Sequence, residues 1–363
     1  MSPDNDSTLK LVAHYFVCER RRPGGIKDLL LAKHGITIGL HDVYNKYIPE
    51  ILEKDGWLRL VTPMDDPLAE QMKKLPYRLD EVRVASTTCV DDVATQAAEV
   101  IRDFITERAR ELPEVHIGFS GGNTTRKVFR KLVHLLNDPT YQFPEDRTLV
   151  CHALVAGFDN EHPGTDPSSF FSLLDDSPAL FKRKFVLFHA PAIAPAKQLK
   201  AILDLPVIRK ARESASDLHL IVTAAASFGD VHSQLRQYYE TYDRPAFKKL
   251  ERTCVGDVLW LPVDDKGPMD LSQFESRPVT LLELQHLPDR IARGRKVLLV
   301  LGPCADPAHP CEESKAGILK AILAPQIGTD EASIRRHITH LIVDNKTAGE
   351  FLRSASTAAK DVA

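Results

Sequence analysis

The spacing of apolar residues changes along the chain, near residue 80. Over the first 63 residues the apolar positions recur at helical intervals, as at Leu9, Val12 and Phe16. This pattern predicts α-helices over 8–19, 26–34 and 41–54. We expect Ser7 to cap the first helix and Gly35 to end the second. An alternation of apolar and polar residues over 57–61 then predicts a short strand.

Three helices and a strand within roughly 60 residues are typical of a winged helix-turn-helix domain, although a small three-helix bundle has the same outline. A turn over 20–25 separates the first two helices, because its Pro-Gly-Gly sequence does not continue a helix. Pro49 lies inside the third predicted helix. It must kink that helix or start a new one, because proline lacks an amide donor.

Beyond residue 78, short apolar runs alternate with longer segments of helical period. The predicted strands are 81–85, 115–119, 148–155, 185–188, 218–222, 297–301 and 340–343, and the predicted helices include 93–110, 125–136, 199–215 and 315–324. This alternation indicates a parallel sheet covered on both faces, a Rossmann-like α/β fold whose ligands bind at the carboxyl ends of the strands. We therefore divide the chain into a winged helix-turn-helix-like domain over 1–63, a linker over 64–78 and an α/β domain over 79–363.

Composition and charge narrow the class of protein. The 363 residues are 43% hydrophobic and 27% charged, with a net charge of −3, which is ordinary for a folded protein in water. The polar first ten residues are unlike a signal peptide, and the longest apolar run, 297–302, has the length of a strand. We therefore expect a cytoplasmic protein. Residues 1–63 carry a net charge of only +1, which is not the charge of a strong non-specific DNA binder.

The six cysteines are scattered and do not suggest a disulfide framework. Cys304, His309 and Cys311 lie in one short loop. A tetrahedral zinc site needs a fourth ligand, and the spacing is not that of a zinc finger. We expect no metal and no cofactor, and interpret the segment as a proline-rich loop with reduced thiols.

The strongest chemical signal lies at 118–126, where an apolar strand runs into small residues and then into a helix. Gly121 and Gly122 let the backbone approach a ligand closely, and the free amides at the start of a helix bind anions. Polar side chains add donors at this loop, namely those of Ser120, Asn123, Thr124 and Thr125. The loop has neither the ending of a Walker A motif nor the spacing of a dinucleotide fingerprint. A tight turn without a ligand has the same sequence, but we favour a phosphate site.

This loop resembles the Ser-Gly-Gly-x-Thr phosphate loop of the glucosamine-6-phosphate deaminase and ribose-phosphate isomerase fold. The stretch from about 64 to 355 is similar to the sugar-binding effector domain of SorC-type and related DeoR-type transcription regulators. Further matching segments follow in the family's order, at 156–158, 168–169, 217–224, 255–259, 264–267, 313–316 and 341–348.

The resemblance implies a transcription regulator whose DNA binding is controlled by a phosphorylated sugar. It implies that the phosphate lies on residues 121–125, that Lys315 reaches the same phosphate, and that Asp257 accepts hydrogen bonds from sugar hydroxyls. An ammonium group and a ring of amides neutralise a phosphate, and a carboxylate orients hydroxyls. Lys315 also fits a solvated lysine at a helix start, and Asp257 also fits an acid that caps a turn.

On the third predicted helix, His41, Asn45 and Lys46 are the residues that we expect to face DNA. Asn45 can read adenine, and Lys46 can contact guanine or a phosphate, whereas Asp42 would repel the DNA backbone. A symmetric oligomer multiplies the DNA contacts of an N-terminal domain that is only weakly charged. We therefore expect a homodimer or homotetramer.

Two alternatives stay open, because the same fold also hosts enzymes. One is a sugar-phosphate hydrolase or isomerase similar to the 6-phosphogluconolactonases, suggested by the segment 158–169, with His232 as its candidate base. The mid-chain Asp-Gly-His of those enzymes is absent from this sequence. The other is a sugar-phosphate sensor that does not bind DNA, suggested by Pro49 and the near-neutral N-terminal region.

Overall fold

The computed structural model of the chain describes residues 5–18, 21–48, 63–138, 141, 143–157, 163–177, 181–304, 314–324 and 335–360. The chain divides into two compact units, Met1–Val61 and Thr62–Ala363. We call the first the N-terminal unit and the second the α/β unit.

The N-terminal unit is helical in its described residues. Helix α1, Asn5–Ala13, continues into a π-helical turn, His14–Cys18; helix α2 is Pro23–His34; and the short helix α3, Leu40–Asp42, continues into a π-helical turn, Val43–Tyr47. These elements share a small core formed by Leu9, Val12, Tyr15, Ile26, Leu30, Ile36, Val43 and Tyr47. Pro49 and the strand predicted over 57–61 lie outside the described residues.

The first two helices of this unit begin earlier than the sequence predicts. Helix α1 begins at Asn5, so Ser7 lies inside the helix and does not cap it. Helix α2 begins at Pro23, before the predicted residue 26, because proline in a first helical turn sacrifices no helical hydrogen bond. Gly35 ends α2 as predicted. It has a φ of 65°, and its amide donates to the Leu31 carbonyl.

The α/β unit contains the remaining regular elements. Its helices are α4 Asp66–Lys73, α5 Val90–Glu111, α6 Asn123–Leu136, α7 Pro167–Phe170, α8 Ser172–Asp175, α9 Ala196–Leu203, α10 Pro206–Ser214, α11 Gln234–Tyr242, α12 Arg244–Thr253, α13 Leu287–Ala292, α14 Ala316–Leu323 and α15 Asn345–Lys360. Its strands are β1 Glu81–Ala85, β2 Glu114–Phe119, β3 Thr148–Ala153, β4 Lys182–Val186, β5 Ile193–Pro195, β6 Leu220–Ser227, β7 Gly256–Val258, β8 Leu261–Asp264, β9 Gly267–Pro268, β10 Ser276–Pro278, β11 Lys296–Leu301 and β12 His340–Asp344.

The main sheet has seven parallel strands in the order β1-β12-β11-β6-β2-β3-β4. Strands β2, β3, β11 and β12 are buried along almost their whole length, which shows that helices or loops cover both faces. This arrangement confirms the predicted Rossmann-like α/β fold. Strands β7, β8 and β9 extend the sheet as an antiparallel meander from the end of β6, and β5 pairs with β10 separately.

The helix predicted over 199–215 is two helices in the structure, α9 and α10. Pro206 occupies the first turn of α10, where its missing amide costs nothing, whereas in a helix interior it would break the hydrogen-bond ladder. Strand β6 also runs further than the predicted 218–222 and ends only at Ser227.

The segment predicted as a linker, 64–78, packs against the sheet of the α/β unit. Met64 bridges to Ala85 at the end of β1, and α4 buries Ala69 and Met72 in the same hydrophobic core as the sheet. Tyr77 is buried in that core too. None of the helices in the described ranges is both long and apolar enough to cross a bilayer.

Candidate functional site

The strand order of the main sheet creates a crevice between β2 and β6. These strands are neighbours, with Phe119 opposite Val222. From β2 the chain proceeds to β3 on one side, and β6 has β11 on its other side. In open parallel sheets, ligands bind at the carboxyl ends of strands beside such a switch in strand order. The loop 120–122 follows β2 at this point.

The loop after β2 is held in place by backbone hydrogen bonds. The Ser120 amide donates to the Val222 carbonyl over 2.9 Å, and the Gly122 amide donates to the Thr165 carbonyl over 2.9 Å. Gly122 has a φ of 101°, a conformation that side chains disfavour. Its carbonyl accepts from the Arg126 amide, which starts helix α6.

The start of α6 is open to an external partner. The amides of Asn123, Thr124 and Thr125 make no hydrogen bond with any described residue. The Thr125 and Ser120 hydroxyls are hydrogen-bonded to each other at 3.1 Å, which stabilises the conformation of the loop. The first amides of a helix together with its dipole attract an anion. The predicted anion site is therefore geometrically available.

Asp257 on β7 forms the opposite wall of the crevice. Its side chain is 5% exposed, and the Ser233 hydroxyl donates to its Oδ2 over 3.0 Å. The pKa of Asp257 is raised to about 7: burial is the largest cause and the Asp230 charge adds to it, while the Ser233 hydrogen bond and the Lys315 charge lower it. A buried carboxylate of this kind is a strong acceptor for ligand hydroxyls.

Lys315 lies at the start of a second helix, which begins at the crevice. It is the residue that precedes α14, and its side chain is 7% exposed. A cation at a helix N-terminus is disfavoured by the helix dipole, and burial adds a desolvation cost. An anion beside Lys315 offsets both costs, and Asp257 supplies part of that charge.

The turn between β7 and β8 brings an aromatic ring to the same place. Val258 pairs with Leu261, so Leu259 and Trp260 form a two-residue hairpin turn. Their φ angles are 55° and 58°, in the left-handed region that costs L-residues about 1–2 kcal/mol each. Such turns normally use Asn-Gly or Asp-Gly. Backbone strain of this type is concentrated at binding sites.

These elements enclose a cavity of about 200 Å³. One water needs roughly 10–15 Å³ by the same measure, so the space suits a small metabolite. The lining is formed by Ser120, Gly121, Gly122, Asn123, Thr124, Thr165, Ala224, Ala225, Ala226, Asp230, His232, Ser233, Gln234, Gln237, Asp257, Leu259, Trp260, Cys304 and Lys315. The helices α6, α11 and α14 all begin at this cavity.

The structure brings the predicted ligand-binding residues together. Ser120, Gly121, Gly122, Asn123, Thr124, Asp257 and Lys315 all line the cavity, and Thr125 lies directly behind it through its bond to Ser120. Sequence reasoning did not single out Trp260, Asp230 or Gln234. The residues around Trp260, Val-Leu-Trp-Leu-Pro, do not indicate a left-handed turn, so the sequence carries no signal for its place at the cavity. Gln234 donates to the Thr165 hydroxyl over 2.9 Å and so joins two walls.

The predicted DNA-facing residues lie on the surface of the N-terminal unit. His41, Asn45 and Lys46 are exposed. The Asn45 amide and the His41 ring are hydrogen-bonded at 2.9 Å, so they form one polar patch on consecutive turns. The Lys46 ammonium lies 4.9 Å from the centre of the Tyr47 ring.

The Cys304–Cys311 segment lies only partly within the described residues. Cys304 lines the cavity, whereas His309 and Cys311 lie outside the described residues. Within the described ranges no three His, Cys, Asp or Glu side chains are grouped as metal ligands would be.

Solved structures of transcription regulators share this architecture. The sorbitol operon regulator SorC from Klebsiella pneumoniae, solved at full length, matches over 96% of this chain and 100% of its own, with 17% identity and a TM-score of 0.56. A transcriptional regulator from Streptococcus pneumoniae matches over 80% of this chain and 97% of its own, with 17% identity and a TM-score of 0.58. A DeoR family regulator from Listeria monocytogenes matches over 79% and 98%, with 15% identity and a TM-score of 0.55.

The fold is that of the SorC-type and DeoR-type regulators. The resemblance in fold that the sequence motifs predicted is thereby confirmed. The match to the full-length regulator covers almost all of this chain and so takes in the N-terminal unit as well. No protein-family model matches the sequence, and no curated protein matches it significantly.

Proposed function

We propose that the chain is a transcription regulator whose DNA binding is controlled by a phosphorylated sugar bound in the cavity of the α/β unit. The observation that carries the proposal is the start of α6, whose first three amides lack partners within the described chain. Lys315 lines the same cavity. Together they supply the N–H donors and the positive charge that a phosphate dianion needs.

The opposite wall supports the sugar part of the ligand. Asp257 and Asp230 are acceptors, and Ser233 is both donor and acceptor. Hydroxyls of a sugar satisfy such groups, whereas a free phosphate would meet two carboxylates there. A molecule with phosphate at one end and hydroxyls at the other therefore fits the polarity of the cavity better than phosphate alone.

The DNA-binding part of the proposal is supported by the fold and by the N-terminal surface. One structure with the same fold is an operon regulator, and another is a domain of a possible sugar-binding transcriptional regulator. In this chain Asn45 and Lys46 are exposed on adjacent positions, where they can contact a base and a phosphate. A homodimer or homotetramer would double or quadruple these contacts.

Thr124→Ala tests the ligand part. Thr124 lines the cavity at the start of α6, so its loss should weaken binding of any sugar phosphate that stabilises the wild type. Calorimetry with the best compound from a thermal-shift screen measures this. Thr95→Ala is the matched control, because Thr95 lies on α5, bonds the Asp91 carbonyl of its own helix and does not line the cavity. Equal affinity of Thr124→Ala and Thr95→Ala would contradict the proposed site.

Gel-shift assays with genomic fragments at low salt test the DNA part. The wild type should retain some fragment selectively and release it when the sugar phosphate is added, because linkage requires the two ligands to alter each other's affinity equally. Lys46→Ala should weaken DNA binding without altering sugar-phosphate affinity. Sugar-phosphate binding with no DNA retention under any condition would favour a sensor that does not bind DNA.

The enzyme alternative has one observation in its favour. His232 and Asp257 line the same cavity, and a carboxyl with a pKa of about 7 can exchange protons near neutral pH. Turnover of lactone or isomerase substrates by the wild type, lost in His232→Ala, would show an enzyme. A regulator should bind such compounds without converting them.

A further inference from the structure

We infer that Trp260 is the specificity-determining residue of the proposed ligand site, and that it selects sugar monophosphates in their ring form over open-chain polyol phosphates. This inference rests on the proposed function, because it assumes that the cavity binds a sugar phosphate. It names the chemical class of that ligand.

Trp260 is placed where the sugar must begin. A Cβ atom added to Gly121 would collide with Cζ2 of the Trp260 ring, and it would lie 2.8 Å from Cη2. The indole therefore packs directly on the phosphate loop. A ligand phosphate at the start of α6 leaves its first sugar atoms beside this ring. Other ligand contacts at that position would come from the aliphatic Leu259 and the alanines 224–226.

The chain keeps this ring in place despite an unfavourable backbone. Leu259 and Trp260 both adopt left-handed φ angles, although neither is a glycine, asparagine or aspartate. Glycine at either position would remove the strain. Trp260 is nonetheless only 7% exposed and lines the cavity. A strained, buried aromatic at a cavity wall indicates that the side chain itself is required there.

The cavity walls have complementary chemistry. The indole and its aliphatic neighbours form an apolar wall, and Asp257, Asp230 and Ser233 form a polar wall. A sugar ring presents C–H groups on its face and hydroxyls on its edge. It therefore matches both walls at once, with the apolar face buried against the indole.

An open-chain polyol phosphate fits less well for two reasons. Its hydroxyls point in several directions, so some must lie against the indole without a partner. Its rotatable bonds must also be frozen on binding, whereas a ring is already rigid. Truncating Trp260 removes the apolar wall that distinguishes the ring form from the open chain. It should leave the proposed phosphate site at the start of α6 intact.

Calorimetric titration of matched pairs tests the inference. The probes are cyclic hexose 6-phosphates, the corresponding hexitol 6-phosphates, and inorganic phosphate alone, each titrated into the full-length protein. The wild type should prefer the best cyclic compound over its hexitol partner by about tenfold or more. Trp260→Ala should reduce this preference to less than about threefold, while its affinity for inorganic phosphate stays close to that of the wild type.

Trp260→Phe and Tyr242→Ala complete the set of variants. Phe keeps an aromatic wall and should retain most of the preference, even if Trp260→Ala folds poorly. Tyr242 is 74% exposed on α11 and does not line the cavity, so its truncation controls for the loss of an aromatic residue. Trp57 is the only other tryptophan of the chain. In a Trp57→Phe background, the cyclic ligand should therefore change Trp260 fluorescence directly.

The inference is overturned if the wild type prefers the hexitol phosphates, or if Trp260→Ala and Trp260→Phe both keep the full preference for the ring form. A parallel loss of affinity for inorganic phosphate would overturn it too, because Trp260 would then only support the phosphate loop. Failure of the proposed function gives a different result: no sugar phosphate binds the wild type at all.

Discussion

Two adjacent glycines of the loop after β2 meet different physical requirements. Gly122 needs a positive φ, and a Cβ there would meet nothing within 4 Å. At Gly121 the requirement is space, because the Trp260 ring and the Thr165 carbonyl fill the position of a side chain. The positive φ of Gly122 is a requirement of the local turn. The lack of space at Gly121 arises only in the folded protein, where the turn between β7 and β8 packs against it.

Gly121→Ala should therefore destabilise the protein and weaken ligand binding. The added methyl must displace the indole or the Thr165 carbonyl, and overpacking of this kind costs about 1–3 kcal/mol. Gly317→Ala is the control. Gly317 lies in α14, where a Cβ meets nothing within 4 Å, so alanine should stabilise the helix by about 0.5–1 kcal/mol. Urea denaturation measures both, and equal stability of the two variants would contradict this interpretation of the loop.

At the scale of an element, the start of helix α6 lacks the groups that usually stabilise a helix N-terminus. Helices α11 and α12 are capped by the side chains of Ser233 and Asp243. Helix α6 begins at Asn123, directly after Gly122, which provides no side-chain cap, and it has no acidic residue in its first turn. An acid there would stabilise the helix through its dipole. It would also occupy the place of an external anion.

Asn123→Asp should consequently raise stability and lower ligand affinity. The carboxylate at the helix start should add about 0.3–1 kcal/mol to the free energy of unfolding, while repelling a bound phosphate. Val207→Asp gives the matched control. Val207 is exposed in the first turn of α10, which has no acid, and does not line the cavity. It should produce the stability gain with unchanged affinity. If both variants bind the sugar phosphate equally well, α6 does not hold the anion.

At the scale of the whole molecule, buried histidines couple stability to pH. His116, His152 and His219 are packed together on β2, β3 and the residue preceding β6, with a His116–His152 hydrogen bond of 3.0 Å. Burial, with His116 as a neighbour, lowers the pKa of His152 to about 3 and that of His219 to about 4. Burial also lowers the pKa of His337 to about 4.

The protein should therefore lose stability on acidification. Between pH 6.5 and about 4, His152, His219 and His337 bind protons when unfolded but stay neutral when folded, so the unfolded state is stabilised relative to the folded state as the pH falls. Asp257 and Glu283, whose pKa values are raised by burial, act in the opposite direction. Urea denaturation at pH 7 and at pH 4.5 should show the loss. His337→Leu should reduce it, and exposed His286→Gln should not. A free energy of unfolding that does not change with pH would rule this out.

The described helices of the N-terminal unit and the strands of the main sheet were largely predictable, because their signals are local. Helical periodicity, the left-handed Gly35 and the apolar runs of β1, β2 and β11 depend on neighbouring residues along the chain. The exceptions also have local causes that the prediction misjudged, since Pro23 and Pro206 start helices and were interpreted as a turn residue and as part of a continuous helix.

The sequence by itself predicted an anion site at the start of α6, because a strand, two glycines and a helix start lie within ten consecutive residues. The resemblance to a family then added Asp257 and Lys315. Only the tertiary structure decided that these groups share one cavity, because β7 and α14 reach it through pairing with β6 and packing across the sheet. The tertiary structure also decided the strained turn at Trp260, because no local sequence preference favours it. Only the contact with Gly121 and the surrounding core holds this turn in place.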